Sequence, residues 1–492
     1  MSADLIDLVQ RLGQPRVLVL GDLMLDRYVW GDAERISQEA PVILLHADKR
    51  EERLGGASSV ATLLRALGAK VCLVGVVGPD ADGGRVKQML TDLGIEHDGV
   101  VPCPDRPTTV KERYIGRAQH RHPQQIVRVD YEVRAAVPAE VESEMRQVIL
   151  QQVSRADVVL ISDYDKGVCT PGLLTTVIAA ARACGVRVLA DPIRGDDYRK
   201  YHGCSAITPN RLEAGLATGG ELRTADQVFA AGKALRERLD LEAAIITLDK
   251  DGMALVHRDG RQQCFATRPR QVYDITGAGD MVMSMLAMAL AGGAEYDAAI
   301  RLANIAGGLE VEKIGVATVT RDEILRDLLR SGSGSGDPKV LTREVLRHEI
   351  DARRRLGQRI AFTNGCFDVL HAGHVHYLQE ARAQADLLVV GLNSDASVQG
   401  LKGPGRPVHT QHDRSQVLAA LGSVDYIAVF DESTPLELIQ QVRPDVLVKG
   451  ADYSKDEVVG ADFVESYGGR VHLAKFHNGY STTITLQKLA AA

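Results

Sequence analysis

Two α/β domains in series, each built on a mostly parallel sheet, are what this 492-residue sequence predicts. Two observations carry the prediction. Short apolar runs alternate with helix-length segments through residues 17–250, and again through 360–473, the pattern of βαβ units. Between the two series, the run Ser331-Gly332-Ser333-Gly334-Ser335-Gly336 breaks the composition and reads as a flexible tether. The expected boundaries are 1–330 for the first domain, 331–338 for the linker and 339–492 for the second.

Taken in order, the apolar runs at 17–20, 71–77, 157–161, 186–190, 206–207 and 244–248 are of strand rather than helix length. Helices fit 57–67, 171–183 and 225–239 between them. Residues 109–115 and 125–129 stand apart as two β segments, read as a small lid on one edge. In the second domain, strands fall at 360–363, 387–392, 426–430, 446–449 and 471–473.

Aromatics make up only 4% of the chain, so the cores must be mostly aliphatic. The net charge of −7 gives no general attraction to nucleic acid, and phosphate ligands would need local basic patches. Seven Cys without a C-x-x-C pair fit reduced thiols in a cytoplasmic protein. The start carries no basic, apolar leader, and no apolar run approaches the roughly 18 residues of a membrane span.

The stretch Asp274-Ile275-Thr276-Gly277-Ala278-Gly279-Asp280 runs into an apolar segment at 281–286. A glycine-rich turn opening a helix leaves backbone N–H groups without partners, and the helix dipole adds positive potential there. Such a place suits a phosphate. Asp280 at its mouth is electrostatically awkward. The simplest use for it is taking a proton from an attacking hydroxyl in phosphoryl transfer. A glycine turn with an N-terminal Asp cap is the plainer reading. Other polar residues stand at strand ends, where open α/β sheets bind ligands: Asp22 and Asp26, Gly55-Gly56, Asp163, Asp165 and Lys166, Asp191, Asn210 and Glu213, and Thr247, Asp249 and Gly252. Each alone fits a cap or turn; together they converge on one rim. Lys111 and Arg113 alternate along a β segment and share a face, either solvated or turned to a sugar that already carries a phosphate.

Gly-Gly at 55–56, Thr-Pro-Asn-Arg-Leu-Glu at 208–213 and the 274–280 stretch resemble, in order and spacing, the ribokinase-like (PfkB) sugar kinases over residues 12–320. The resemblance implies a ribokinase-like α/β domain with a small β lid. It implies Asp280 as catalytic base and the backbone of Gly277, Ala278 and Gly279 as anion hole. Asn210 and Glu213 would lie near the phosphates, Glu213 acting indirectly on the Mg2+ that accompanies ATP. Thr247, Asp249, Gly252 and Asn304 would lie near ATP, while Asp22, Asp26, Gly55 and Gly56 would hold the sugar. The family usually carries an Asn shortly after the glycine pair. This sequence offers Ser59, a shorter hydrogen-bonding group.

In the second domain, residues 363–374 read Thr-Asn-Gly-Cys-Phe-Asp-Val-Leu-His-Ala-Gly-His, after a strand and into a helix. His371 and His374 are three apart and share a helix face, at the end that favours phosphate. A zinc site with His376 is the alternative, although no Cys or carboxylate completes an obvious set. Cys366 reads as a packed thiol. The segment resembles the G-x-F-D-x-x-H-x-G-H signature of the cytidylyltransferase-like nucleotidyltransferases. Gly479-Tyr480-Ser481-Thr482-Thr483 resembles their second signature. The resemblance spans about 340–492 and implies a Rossmann-like nucleotidyltransferase α/β domain. It places Phe367, Lys402, Arg414, Lys449, Ser481, Thr482 and Thr483 with ATP or its phosphates. A substrate phosphate would attack the α-phosphate, and pyrophosphate would leave.

Joined in this order, the halves resemble the bifunctional heptose enzymes of lipopolysaccharide inner-core synthesis. That implies ATP and heptose phosphates as partners. Another sugar phosphate, or CTP in the second step, stays open on the motifs. A homodimer through the kinase domain is a further expectation.

Overall fold

A strand covered on both faces needs apolar residues at every position, and Val17, Leu18, Val19 and Leu20 are all buried in the middle of a sheet. The computed structural model describes residues 2–117, 123–268, 270, 272–313, 317–332, 339–355, 357–450 and 454–474. It divides into two units, Ala3–Ile324 and Leu325–Ala492.

The strands of the first unit are β1 (Arg16–Gly21), β2 (Leu23–Ile36), β3 (Ile43–Gly56), β4 (Lys70–Val77), β5 (Glu96–Pro102), β6 (Val110–Arg117), β7 (Gln124–Tyr131), β8 (Val158–Ser162), β9 (Arg187–Asp191), β10 (Ala206–Ile207), β11 (Ala243–Thr247), β12 (Met253–His257) and β13 (Gln262–Phe265). Nine of them form one sheet in the order β13-β12-β11-β10-β9-β8-β1-β4-β5. It is parallel except at β12 and β13, which pair antiparallel. The chain passes from β1 to β4 on one side and to β8 on the other. That makes the C-terminal end of β1 a switch point, where such sheets open a ligand crevice.

The lid is larger than the sequence reading expected. It is a four-stranded sheet in the order β3-β2-β6-β7, so the two foreseen segments, now β6 and β7, are half of it. β3 escaped notice because Lys49, Arg50, Glu51, Glu52 and Arg53 follow one another in it, and β2 because Asp26 and Arg27 interrupt its buried apolar start, Leu23-Met24-Leu25. Most of β3 is exposed, and only Leu54, Gly55 and Gly56, next to the main sheet, are buried.

The second unit contributes β14 (Ile360–Gly365), β15 (Leu387–Asn393), β16 (Tyr426–Phe430), β17 (Val446–Gly450) and β18 (Arg470–Ala474). They form one all-parallel sheet in the order β16-β15-β14-β17-β18. Here β14 is the switch strand, and residues 366–371 leave its C-terminal end. Ser331 and Gly332 of the expected linker close the helix Arg321–Gly332; 333–338 lie outside the described residues. Among the described residues no helix is long and apolar enough to cross a membrane.

Candidate active sites

In the first unit the helix Ala278–Ala291 is apolar all round, and Met281, Met285, Leu286 and Met288 are fully buried within it. Such burial fixes the position of its first turn. Gly277 caps the helix with φ 98°, a conformation few other residues adopt. The next glycine, Gly279, has open space where a Cβ would stand. Thr276 N–H donates to Asp274 Oδ1 at 2.9 Å, which shapes the turn ahead of the cap. The result is a helix N-terminus with space around Gly279, where the Ala278 N–H reaches the Ile275 carbonyl only at 3.4 Å.

Asp280 sits in that first turn and is only 8% exposed. Burial raises its carboxyl to about 6, against hydrogen bonds from Tyr164 and Ser59 that favour the charged form. The Tyr164 hydroxyl donates to Asp280 Oδ1 at 2.6 Å. Ser59 Oγ is close enough to draw the carboxyl down, yet it is buried and makes no hydrogen bond of normal geometry. Tyr164 was passed over in the sequence reading, which took Asp163, Asp165 and Lys166 around it.

Around the rim the expected residues do gather, but several are engaged with the chain itself. Asp22 accepts from the backbone N–H of Tyr164 (2.8 Å), Lys166 (3.1 Å) and Val168 (3.2 Å). Both of its oxygens are thereby committed to pinning the loop after β8, where the sequence reading had them holding a sugar. Asn210 and Glu213 form a reciprocal capping box at the helix Arg211–Thr218: Glu213 N–H donates to Asn210 Oδ1, and Asn210 N–H donates to Glu213 Oε2, both at 2.9 Å. Thr247 bridges to Asn210. Asp249 and Gly252 both have positive φ, at 52° and 100°. A Cβ on Gly252 would stand 2.0 Å from the Phe265 carbonyl, the same oxygen that accepts from Asn304 Nδ2 at 2.9 Å. Asp191, at the end of β9, is pushed well above the usual carboxylate range by burial and by Asp280 and Glu213.

Lys111 and Arg113 both lie on β6 of the lid, and both are partly buried. β6 lies parallel to β2 with Lys111 opposite Asp26 and Arg113 opposite Tyr28. Arg113 Nη1 donates to Asp26 Oδ1 at 2.6 Å, so Asp26 meets an arginine as well as the rim. Lys111 Nζ stands 5.4 Å from the centre of the Tyr164 ring, and burial lowers its pKa. Gly55 is required where it is: a Cβ there would meet Asp26 Oδ2 at 2.4 Å. Gly56 has φ 56° and caps the helix Ala57–Ala66.

In the second unit His371 is the N-cap of the helix Ala372–Arg382, and His374 lies in its first turn. The two rings stack with centroids 3.9 Å apart. Burial and the neighbouring His371 and Lys402 bring His374 down to about 4, and burial lowers His371 too. Both shifts favour the neutral imidazole. His374 Nδ1 is buried without a hydrogen-bond partner. Phe367, at φ 43°, sets its ring edge-on to His374 at 5.3 Å and packs into the core. Lys402 ends the helix Asp395–Lys402 and faces Cys366 and His374. Lys449 Nζ donates to Asn364 Oδ1 at 2.6 Å.

Arg414 is 2% exposed and does not wait for an anion. It donates to the carbonyls of Cys366 (2.6 Å), Asn393 (2.8 Å) and His409 (3.1 Å) and to Asp395 Oδ1 (2.7 Å). These bonds clamp three segments of the chain together beside the position expected for ATP. Cys366 is half-buried and its thiol is raised by burial, as a packed thiol should be. Ser481, Thr482 and Thr483 lie outside the described residues. Among the described residues no group of three or more His, Cys, Asp or Glu side chains is placed to hold a metal ion. Asp280 and Glu213 lie close enough to Asp191 to raise its pKa, acidic company that would suit a Mg2+ carried in by ATP phosphates and water.

Residues 14–323 match the pfkB family of carbohydrate kinases, and residues 362–487 match the cytidylyltransferase-like family. The chain is 47% identical to the "Bifunctional protein HldE" of Geobacter sulfurreducens over 98% of its length and 96% of that protein. It is 44% identical to the protein of the same name in Paramagnetospirillum magneticum over 99% and 98%. Among solved structures, Escherichia coli phosphofructokinase-2 aligns with a TM-score of 0.55 at 19% identity, and Arabidopsis thaliana ribokinase with 0.52 at 22%. Each alignment takes in 64% of this chain and nearly all of the other (98% and 99%), and each shows a shared fold. The chain belongs to the pfkB carbohydrate kinase family and, over nearly its whole length, to the family of the bifunctional HldE proteins. It is an enzyme with a sugar kinase and a nucleotidyltransferase in sequence.

Proposed function

We propose that the first unit phosphorylates O1 of D-glycero-β-D-manno-heptose 7-phosphate, and that the second joins heptose 1-phosphate to AMP. The observation that carries the first step is Asp280, buried at the mouth of a helix N-terminus and held by Tyr164. As the sugar hydroxyl attacks the γ-phosphorus of ATP, Asp280 takes its proton and the bond to the bridging oxygen of ADP breaks. The N–H groups of Gly277, Ala278 and Gly279 meet the charge spread over the transferring phosphoryl oxygens. Mg2+ bound with ATP would neutralise phosphate charge, with Glu213 acting through water. Asp26, Gly55, Gly56 and Ser59 line the sugar side, and Asp22 positions the loop behind them. Thr247, Asp249, Gly252 and Asn304 line the nucleotide side.

Lys111 and Arg113 read the distal phosphate of the sugar. Lys111→Gln should raise the sugar KM about tenfold or more, the size of a lost charged hydrogen bond, with the ATP KM little changed. An unchanged sugar KM in steady-state assays would return Lys111 to a solvent-facing role.

In the second unit the heptose 1-phosphate oxygen attacks the α-phosphorus, the bond to the β-phosphate breaks, and pyrophosphate leaves. His371, His374 and Lys402 donate to the oxygens that gain charge, while Lys449 orders Asn364 and Arg414 holds the loops. Ser481, Thr482 and Thr483 keep their place as triphosphate contacts by resemblance. A coupled assay with heptose 7-phosphate, with and without a phosphatase that removes the 7-phosphate, tests both steps. Product only from another sugar phosphate, or only with CTP, would replace this reading.

The units 1–330 and 339–492 are proposed as independent enzymes, since the Ser/Gly sequence between them has no core-forming residue types. Each fragment, expressed alone, should keep its own activity; two inactive fragments would mean a shared core. A homodimer through the kinase unit is supported by exposed Ile36, Val42 and Ile43 at the tip of the β2–β3 hairpin and Val127 on the edge strand β7. The enzyme is proposed to be cytoplasmic, where ATP is available and thiols stay reduced.

A further inference from the structure

We propose that Tyr164 is the positioning residue of the kinase site: its hydroxyl fixes the reactive orientation of Asp280, and its ring ties the lid lysine Lys111 to that carboxylate. The inference rests on the reading of Asp280 as base.

The geometry is built from three sides. The Tyr164 O–H donates to Asp280 Oδ1 at 2.6 Å, which leaves Oδ2 to meet the sugar hydroxyl. The Tyr164 backbone is itself anchored, because its N–H donates to Asp22 Oδ2 at 2.8 Å and the N–H groups of Lys166 and Val168 bind the same carboxylate. The ring lies under Lys111 Nζ, 5.4 Å from its centre. β6 brings Lys111 from the lid, the loop after β8 brings Tyr164, and the helix Ala278–Ala291 brings Asp280. One aromatic side chain thus joins three separate elements.

The groups facing Asp280 are Tyr164, Ser59, Asp26 and Lys111, with Asp191 and Glu310 behind. Asp26 opposes its ionisation, and Asp280 in turn raises the pKa of Asp191 and Glu310. The Tyr164 hydroxyl favours it, and burial keeps the phenol protonated, since its pKa lies well above the ordinary value. A carboxylate that must be charged to act, in acidic company, needs a fixed donor.

Tyr164→Phe keeps the backbone anchor and removes only the hydroxyl. Kinase kcat should fall about tenfold, the size of one hydrogen bond to a charged group. A lost donor raises the pKa of Asp280, so the acid limb of the kinase kcat/KM profile should move up by about one pH unit. Nucleotidyl transfer should be unchanged. Replacing Tyr164 with 3-fluorotyrosine, a more acidic phenol and stronger donor, should move the limb the opposite way. A limb that stays in place in both variants overturns the inference, and if Tyr164→Phe does not fold, the fluorotyrosine protein decides alone. Asp280→Asn separates the two readings. An active Asp280→Asn enzyme removes the base itself. An inactive one beside a Tyr164→Phe enzyme of wild-type rate and profile removes only the role of Tyr164.

Discussion

Asp280→Asn should abolish the kinase step and leave nucleotidyl transfer at its wild-type rate. The amide keeps the shape and can still accept from Tyr164, but it cannot take a proton. Loss of a general base costs about 10²–10⁴-fold. The wild-type kinase rate should fall on acidification through about 6, where Asp280 becomes protonated. The same substitution should raise stability. The folded-state pKa of about 6 lies above the ordinary 3.8, so the fold favours the protonated form. That advantage is complete below 3.8 and is lost as pH rises through 6. At pH 8 the mutant, which never charges, should melt higher than wild type; at pH 3 the two should melt together. A mutant with wild-type kinase rate, or one that melts lower at pH 8, would contradict the reading of a carboxylate held charged against its surroundings.

The second large effect is on the other unit. His374→Ala should remove nucleotidyl transfer and spare the kinase. Both imidazoles are neutral, and stacked rings 3.9 Å apart would resist two positive charges. Their contribution is therefore a placed N–H, realised most fully when the α-phosphate oxygens gain charge under attack. Removing one such donor costs about 10²–10³-fold in kcat, while ATP affinity should change less. Zinc coordination by the same histidines predicts something else, a stoichiometric metal in the wild type, lost in the mutant together with stability. Metal analysis beside kcat and Tm of the mutant decides between them.

How much of this could be read from the residues depends on what each had to do. The central strands were legible because burial on both faces forces an unbroken apolar run, as at Val17–Leu20 and along β15. The lid strands β2 and β3 were not: β3 is mostly exposed, and its Lys, Arg and Glu look like a loop, while in β2 the buried charges Asp26 and Arg27 break the apolar pattern. Motifs told which residues gather, and not which atoms face the ligand. Asp22 and Arg414 both stand beside their sites, yet their oxygens and N–H groups are turned to the backbone. Asn210 and Glu213 face the rim and also close a helix end, two uses that one motif cannot separate. Tyr164 had no signal of its own. Its partner Asp280 is 116 residues away, and only the fold brings the two within 2.6 Å.

The Arg414 clamp bears on how variants of the second unit should be interpreted. One guanidinium gathers the loops at Cys366, Asn393–Asp395 and His409. A lysine has three donors on a single nitrogen and cannot span that arc. Substitution there would loosen the loop that carries Phe367 and the histidines, and ATP would bind poorly to an enzyme whose ATP-contacting groups are all intact. In a screen scored by nucleotide affinity, the loss of this clamp would read the same as the loss of a ligand contact.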